Sequence, residues 1–265
     1  MTKTIVTIAG SDTLAGGGLQ SDLKTFENHH LFGLTAITCV AVMKAQRFEI
    51  NDLSPELLQS QLDSIKQNVS FDGIKVGLIH QRDSVEIVKA FLRSFDGPIV
   101  VDPVMAFKEA EREYSEYYRS KLIELFPFAS VITPNLKEAE ILSQQTIHSL
   151  TDMKQAAKRI HALGASCVVI KGGERLSGAF ASDLFYDGHQ FKSFSKPKIK
   201  KATINGAGCT LASAIAANLV LEKPLLEAIQ ISKEYVYQAI ENGLTLKNGE
   251  GNVWFGDAIK KETKR

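Results

Sequence analysis

The chain has 265 residues, of which 44% are hydrophobic, enough for one large α/β domain or two small ones with a core that needs no covalent staples. Its 31 basic and 30 acidic residues leave a formal net charge of +1, which excludes a global field that would recruit nucleic acid or an anionic membrane. The cysteines, Cys39, Cys167 and Cys209, are far apart and show no zinc-type spacing, which fits a reducing, cytoplasmic compartment rather than a disulfide scaffold.

The first element is a β-branched apolar run over residues 4–9, read as a buried strand ending at Gly10. This opening run is too short for a signal-peptide core, and no later one approaches membrane-spanning length, so the expectation is a soluble, unexported protein. A glycine-rich loop over 10–18 leads to a helix over 19–30 with Leu19, Leu23 and Phe26 on one face. Residues 34–42 read as a second strand, and Ser54-Pro55 as the cap and first turn of a helix reaching about Val69. Strands at 73–77, 98–101, 130–132 and 167–170 then alternate with helices at 83–94, 114–126, 137–142 and 151–163. This alternation predicts an α/β fold with a mostly parallel central sheet and helices on both faces. Residues 180–186 and 190–194 flank Asp187-Gly188, a dipeptide suited to a tight hairpin turn, which adds a small antiparallel part. Two long helices, 208–221 and 224–242, follow. With no linker, repeat or low-complexity segment, 1–265 reads as a single domain. The charged stretch 108–119 reads as a cleft cover or as a solvated helix start, and 260–265 as a frayed tail.

In an open parallel sheet the ligand crevice lies beyond the carboxyl ends of the strands, so polar residues directly after each apolar run are the candidates. Asp12, Asp102, Thr133-Pro-Asn135 and Lys171-Gly-Gly173 all hold such positions, with Glu138 on the helical turn after Asn135. The acids and amides suit Mg²⁺, which keeps its waters and shares phosphate oxygens, and Lys171 suits a phosphate charge. Each residue singly also reads as a helix cap or turn former. Near the C-terminal end, Gly206-Ala207-Gly208 opens into a run of small residues. That turn reads as a phosphate cradle at a helix start, or as a packing turn of a helix held close to a sheet. Cys209 falls in the first helical turn, where the dipole is expected to favour its thiolate. A P-loop is excluded, and Leu211 stands where a dinucleotide fingerprint needs a small residue.

Six motifs, Ile8-Ala-Gly-Ser-Asp12, Gly17-Gly-Leu-Gln-Ser-Asp-Leu-Lys-Thr-Phe26, Val101-Asp-Pro-Val-Met105, Thr133-Pro-Asn-Leu-Lys-Glu-Ala-Glu140, Val169-Ile-Lys-Gly-Gly173 and Gly206-Ala-Gly-Cys-Thr210, stand in this order. Together they resemble the ribokinase superfamily, in the branch of hydroxymethylpyrimidine (phosphate) kinases and short bacterial pyridoxal kinases. The resemblance implies transfer of the ATP γ-phosphate to a hydroxymethyl group on a small aromatic heterocycle. It places Gly206, Ala207 and Gly208 in the anion hole and Cys209 at the position of the catalytic aspartate of sugar kinases. It assigns Asn135, Lys171 and Gly173 to ATP, Asp102 and Glu138 to Mg²⁺, and Asp12, Gly17 and Met43 to the substrate. It also implies a homodimer.

Three departures qualify the resemblance. Pyrimidine kinases usually carry Thr-Ala-Gln-Asn after the second strand; here Ala41-Val-Met-Lys44 aligns, with Met43 in place of the base-reading glutamine, as on the pyridoxal kinase side. Asn205 stands where histidine is common, and Ala106-Phe107-Lys108 lacks the usual small residues. The reading is a Mg-ATP-dependent kinase of pyridoxal, pyridoxine or pyridoxamine. The alternatives are a hydroxymethylpyrimidine kinase and a non-catalytic pyridoxal-binding protein; the intact Gly206-Ala-Gly-Cys209 turn argues against the latter. Met43 reads as a pocket or a core residue, and the helix face of Leu225, Ile229 and Val236 as core or interface.

Overall fold

Every strand run expected from the sequence pairs into one sheet. The computed structural model describes residues 2–44, 47–105, 112–201 and 203–256. In chain order the first half comprises β1 (Thr4–Asp12), α1 (Gly18–Asn28), β2 (Phe32–Lys44), β3 (Arg47–Asp52), α2 (Pro55–Asn68), β4 (Gly73–Val76), α3 (Asp83–Arg93) and β5 (Ile99–Val101). There follow α4 (Arg112–Ile123), β6 (Val131–Ile132), α5 (Leu136–Ser143), α6 (Leu150–His161), β7 (Val168–Ile170), β8 (Phe180–Tyr186) and β9 (Phe191–Pro197). The last elements are α7 (Ala207–Val220), α8 (Leu225–Glu241), β10 (Leu244–Thr245) and β11 (Gly251–Asn252).

The nine-stranded sheet has the order β3-β2-β1-β4-β5-β6-β7-β8-β9. Strands β2, β1, β4, β5, β6 and β7 are mutually parallel, β3 returns antiparallel on β2, and β7-β8-β9 is antiparallel. β8 and β9 are the expected hairpin. β3 and the β10-β11 pair were not expected, because Arg47-Phe-Glu-Ile-Asn-Asp52 mixes charge into a short run and β10 and β11 are two residues each.

Alternation along the strands divides the core in two. Ile74, Val76, Ile99 and Val101 point to a layer closed by α2 to α6, whereas Val100, Val131 and Val169 point to α1, α7 and α8. Helix α7 is buried on nearly every side, and its alanines (Ala212, Ala214, Ala216, Ala217) let the sheet, α1 and α8 approach together. Ile229 and Val236 are buried and Leu225 packs on the same cluster, so this face of α8 belongs to the core. Ser54 caps α2 as expected, its side chain accepting from the Leu57 N–H. Helix α4 begins at Arg112, within the charged stretch; Ala106-Phe107-Lys108, the rest of that stretch to residue 111, and 260–265 lie outside the described residues.

The chain leaves β1 for β2 on one side and returns to β4 on the other. The crevice at the carboxyl ends of β1 and β4 is therefore the switch point where such sheets bind ligands.

Candidate active site

The turn before α7 is fixed by its backbone. Gly206 has φ +85°, and a Cβ there would fall on the carbonyl oxygen of Gly16, so only glycine allows this turn to rest on the loop after β1. Asn205 is tied to β11 and its neighbour in both directions, through Gly251 O and the Val253 N–H at 3.0 Å each. The Ala207 N–H closes on Ile204 O at 3.1 Å and the Thr210 N–H on Gly206 O at 2.8 Å. Between these two closed turns the amides of Gly208 and Cys209 begin the helix, where donors lack intrahelical acceptors and the dipole is positive. The backbone donors of this turn that remain for an anion thus narrow to Gly208 and Cys209, with Ala207 shaping the turn.

Lys171 crosses to this turn from the end of β7. Its Nζ lies 2.6 Å from Asp102 Oδ1, and a Cβ on Gly208 would sit 3.2 Å from it. Thr133 Oγ1 donates to the same Asp102 oxygen at 3.2 Å. Asn135 and Glu138 form a capping box at the start of α5: the Glu138 N–H donates to Asn135 Oδ1 at 2.9 Å, and the Asn135 N–H to Glu138 Oε2 at 2.8 Å. The helix-cap reading of these two residues therefore holds, and they also stand beside Lys171, since Asn135 bridges Lys171 in parallel register. Burial pushes the Glu138 carboxyl up to about 7, with Lys171 opposing and Asp102 adding to the push. Lys171 is held above the ordinary lysine value: burial opposes its charge, but Asp102 and Glu138 outweigh it.

Among the described residues no group of three or more His, Cys, Asp or Glu could hold a metal by protein ligands alone. Two crowded carboxylates, Asp102 and Glu138, nevertheless fit an ion that keeps its waters and shares phosphate oxygens, and the raised Glu138 value is the crowding a dication relieves. Beside them opens a cavity of about 540 Å³, lined by Asn135, Lys171, Gly173, Ala207 and Gly208 together with the apolar Ile204, Leu211 and Val236. Cations and helix donors beside apolar side chains suit a nucleotide. A second cavity of about 390 Å³, between α1, α8 and residues 253–256, contains none of the sequence-predicted site residues.

Asp12 organises the loop it opens. Its carboxylate accepts from the N–H groups of Leu14, Gly16 and Gly17 at 2.9, 3.0 and 2.9 Å. Gly17 is brought against the helix start, where a Cβ would lie 3.7 Å from Cys209 Sγ. Met43 is partly exposed, two residues past Ala41, which pairs with Asp12, and so on the same face of β2. It is not a core methionine.

The expectation for Cys209 is corrected. Burial pushes its thiol up to about 11, against Lys75 and the Gly18 N–H, which favour the thiolate, while Asp102 and Asp22 add to the push. Desolvation outweighs the dipole because Cys209 stands inside the crevice rather than at an exposed helix tip. The sequence reading also passed over Lys75 and Asp22, a fully buried ion pair under α7. The signal was available: a lysine between Ile74 and Val76 in an apolar strand must find a buried anion.

The family model described as phosphomethylpyrimidine kinase matches residues 12–254. A hydroxymethylpyrimidine/phosphomethylpyrimidine kinase of Aquifex aeolicus is 36% identical over 250 residues, covering 92% of this chain and 96% of that one. A pyridoxine kinase of Bacillus subtilis is also 36% identical, over 252 residues and 93% of both chains. The structure of the pyridoxal kinase from Staphylococcus aureus in complex with AMP-PCP and pyridoxal superposes with a TM-score of 0.88 at 34% identity, covering 97% of this chain and 94% of that one. The chain thus belongs to the phosphomethylpyrimidine kinase family and is a ribokinase-like phosphotransferase acting on an alcohol group, of the type that spans the hydroxymethylpyrimidine and pyridoxal kinases.

Proposed function

We propose that this kinase transfers the γ-phosphoryl group of ATP to the hydroxymethyl group of pyridoxal, pyridoxine or pyridoxamine. The observation that carries this choice is Met43, partly exposed on the face of β2 that continues past the Asp12–Ala41 pair. A thioether offers a soft apolar surface and no donor, which suits a methylated pyridine better than the amino edge of a pyrimidine. The same chemistry on 4-amino-5-hydroxymethyl-2-methylpyrimidine is the second reading, supported by the equal identity to relatives of both names.

The triphosphate occupies the cavity with its γ-end at the amides of Gly208 and Cys209 and at Lys171, which neutralise charge on the transferring group. Asp102 and Glu138 are the residues that would hold Mg²⁺ with its waters, and the ion would supply charge neutralisation for the transferring phosphoryl group. The thiolate fraction of Cys209 takes the proton of the substrate hydroxyl. The freed oxygen bonds to the γ-phosphorus as the bond to ADP breaks. A thiol with a value near 11 is a sparing base, and a loose transition state tolerates one, because deprotonation comes late and positioning dominates. The loop held by Asp12 closes the substrate side through Gly17.

We also infer a cytoplasmic homodimer. Phe48 on the edge strand β3, 48% exposed, offers an apolar contact for it, and sedimentation reads the mass. ADP release with Mg-ATP against pyridoxal, pyridoxine and the pyrimidine side by side tests the substrate. Faster turnover of the pyridoxal-type compounds is expected, and a higher kcat/KM for the pyrimidine refutes the first reading in favour of the second.

A further inference from the structure

A buried ionic cluster lies beneath the first turn of α7, outside the residues assigned to phosphate, metal or substrate. The side chains of Lys75 and Asp22 are both 0% exposed, with Lys75 Nζ 2.9 Å from each Asp22 oxygen. Thr7 Oγ1 donates to one of those oxygens and Ser213 Oγ to the other, both at 2.6 Å. Ser213 stands one turn after Cys209, and the Ser21–Thr210 hydroxyl pair at 2.8 Å adds a second tie between α1 and α7. The cluster therefore joins β1, α1, β4 and α7. Lys75 reaches along its strand to the carboxyl end: a Cβ on Gly77 would lie 2.9 Å from its Nζ. That is the switch point of the sheet, between β1 and β4.

Stability alone does not explain such a pair. Two charges taken wholly out of water recover little more than their desolvation cost, and an apolar pair of the same volume is often as stable or more so. What the ion pair offers and an apolar pair does not is a cation at a fixed place. Among the groups that act on Cys209, burial and the carboxylates of Asp102 after β5 and Asp22 on α1 oppose the thiolate, whereas Lys75 on β4 and the Gly18 N–H favour it. In Lys75 itself burial opposes the charge, but Asp22, with Cys209 and Asp102 beyond it, holds the ammonium above the ordinary lysine value.

We propose that Lys75 is a positioning residue for phosphoryl transfer, its ammonium clamped by Asp22 beneath Cys209 so that the sulfur receiving the hydroxyl proton faces a fixed positive charge. The proposal rests on the reading of Cys209 as the proton acceptor. It assigns the Asp22 hydrogen bonds to the clamp: Thr7 and Ser213 hold the carboxylate so that the ammonium keeps one position while substrates exchange above it.

The test uses the charge-neutral double variant Asp22→Asn/Lys75→Met, made in a Cys167→Ser background because Cys39 is fully buried and Cys167 is not. Folding is checked by thermal melting, and iodoacetamide alkylation of Cys209 is followed by mass at pH 8 without ligands. Removing the cation is expected to slow alkylation about tenfold, the equivalent of about one pKa unit, and to lower kcat by a similar factor with both KM values held within about twofold. A merely structural role would leave the alkylation rate of a folded variant unchanged. Unchanged alkylation overturns the proposal, and so does slowed alkylation with wild-type kcat. Should the double variant not fold, Asp22→Asn alone decides. It keeps the shape but loosens the clamp on the ammonium, whose charge burial opposes once Asp22 no longer offsets it, so alkylation is expected to slow about threefold, roughly half a pKa unit; a rate equal to or above wild type overturns the proposal. Because alkylation is read without substrate, it stands apart from the vitamer assay: a chain that prefers the pyrimidine refutes the substrate reading and leaves Lys75 in place.

Discussion

Replacing Gly208 separates the stability of α7 from its chemistry. Gly208 stands in the first turn of α7 at negative φ, and the nearest atoms to an added Cβ are Lys171 Nζ at 3.2 Å and Cε at 3.7 Å. No backbone atom is that close, and the end of a flexible lysine can yield the few tenths of an ångström required. Removing a helical glycine returns about 0.5–1 kcal/mol of backbone entropy for alanine and somewhat less for β-branched valine. Gly208→Val should therefore melt at the wild-type temperature or slightly above. Catalysis should move the other way, since the valine methyls occupy the space before the Gly208 and Cys209 amides and press on the Lys171 ammonium. Losing one preorganised donor to a developing anion costs about 2.7–4 kcal/mol, roughly a hundred- to a thousandfold in kcat. The assay is ADP release with saturating Mg-ATP, beside a thermal melt. Turnover within about threefold of wild type in a folded Gly208→Val protein would refute the anion hole and restore the turn to a packing role.

Glu138→Gln keeps the capping box, because glutamine also accepts from the Asn135 N–H, and removes only the charge; a Mg²⁺ titration of activity should need more metal and reach a lower maximum, and an unchanged titration would leave Glu138 as a cap alone. The same variant carries a pH signature. A carboxyl raised to about 7 favours the folded state fully below the unfolded value, and that contribution is lost as pH rises towards 7. The melting temperature of wild type relative to Glu138→Gln should therefore fall between pH 4.5 and 7, and a flat difference would contradict the buried, crowded carboxyl. Met43→Gln should narrow the preference for pyridoxal over the pyrimidine by up to about 1–3 kcal/mol, the cost of an unpaired polar edge; competition of both substrates measures it, and an unchanged ratio removes Met43 from the site.

The sequence by itself determined whatever depends on near neighbours along the chain. Continuous apolar runs placed the parallel strands of the main sheet, and period-3.6 patterns its helices, because a buried strand must be apolar on both faces and a covering helix on one. The glycine turn before α7, the Ser54-Pro55 start of α2 and the Asn135/Glu138 pair were legible for the same reason, since caps and turns are made by residues three or four apart. The ordered motifs also carried the family. Tertiary structure decided the rest, through contacts between segments far apart in sequence. Lys75 and Asp22, 53 residues apart, become an ion pair only when β4 and α1 close on one another. Cys209 loses its expected acidity because the crevice around it removes water, and desolvation belongs to the whole assembly rather than to the turn. Asp102 and Lys171, 69 residues apart, meet because β5 and β7 flank β6, and their contact brings two unremarkable strand-end residues together beside the glycine turn before α7.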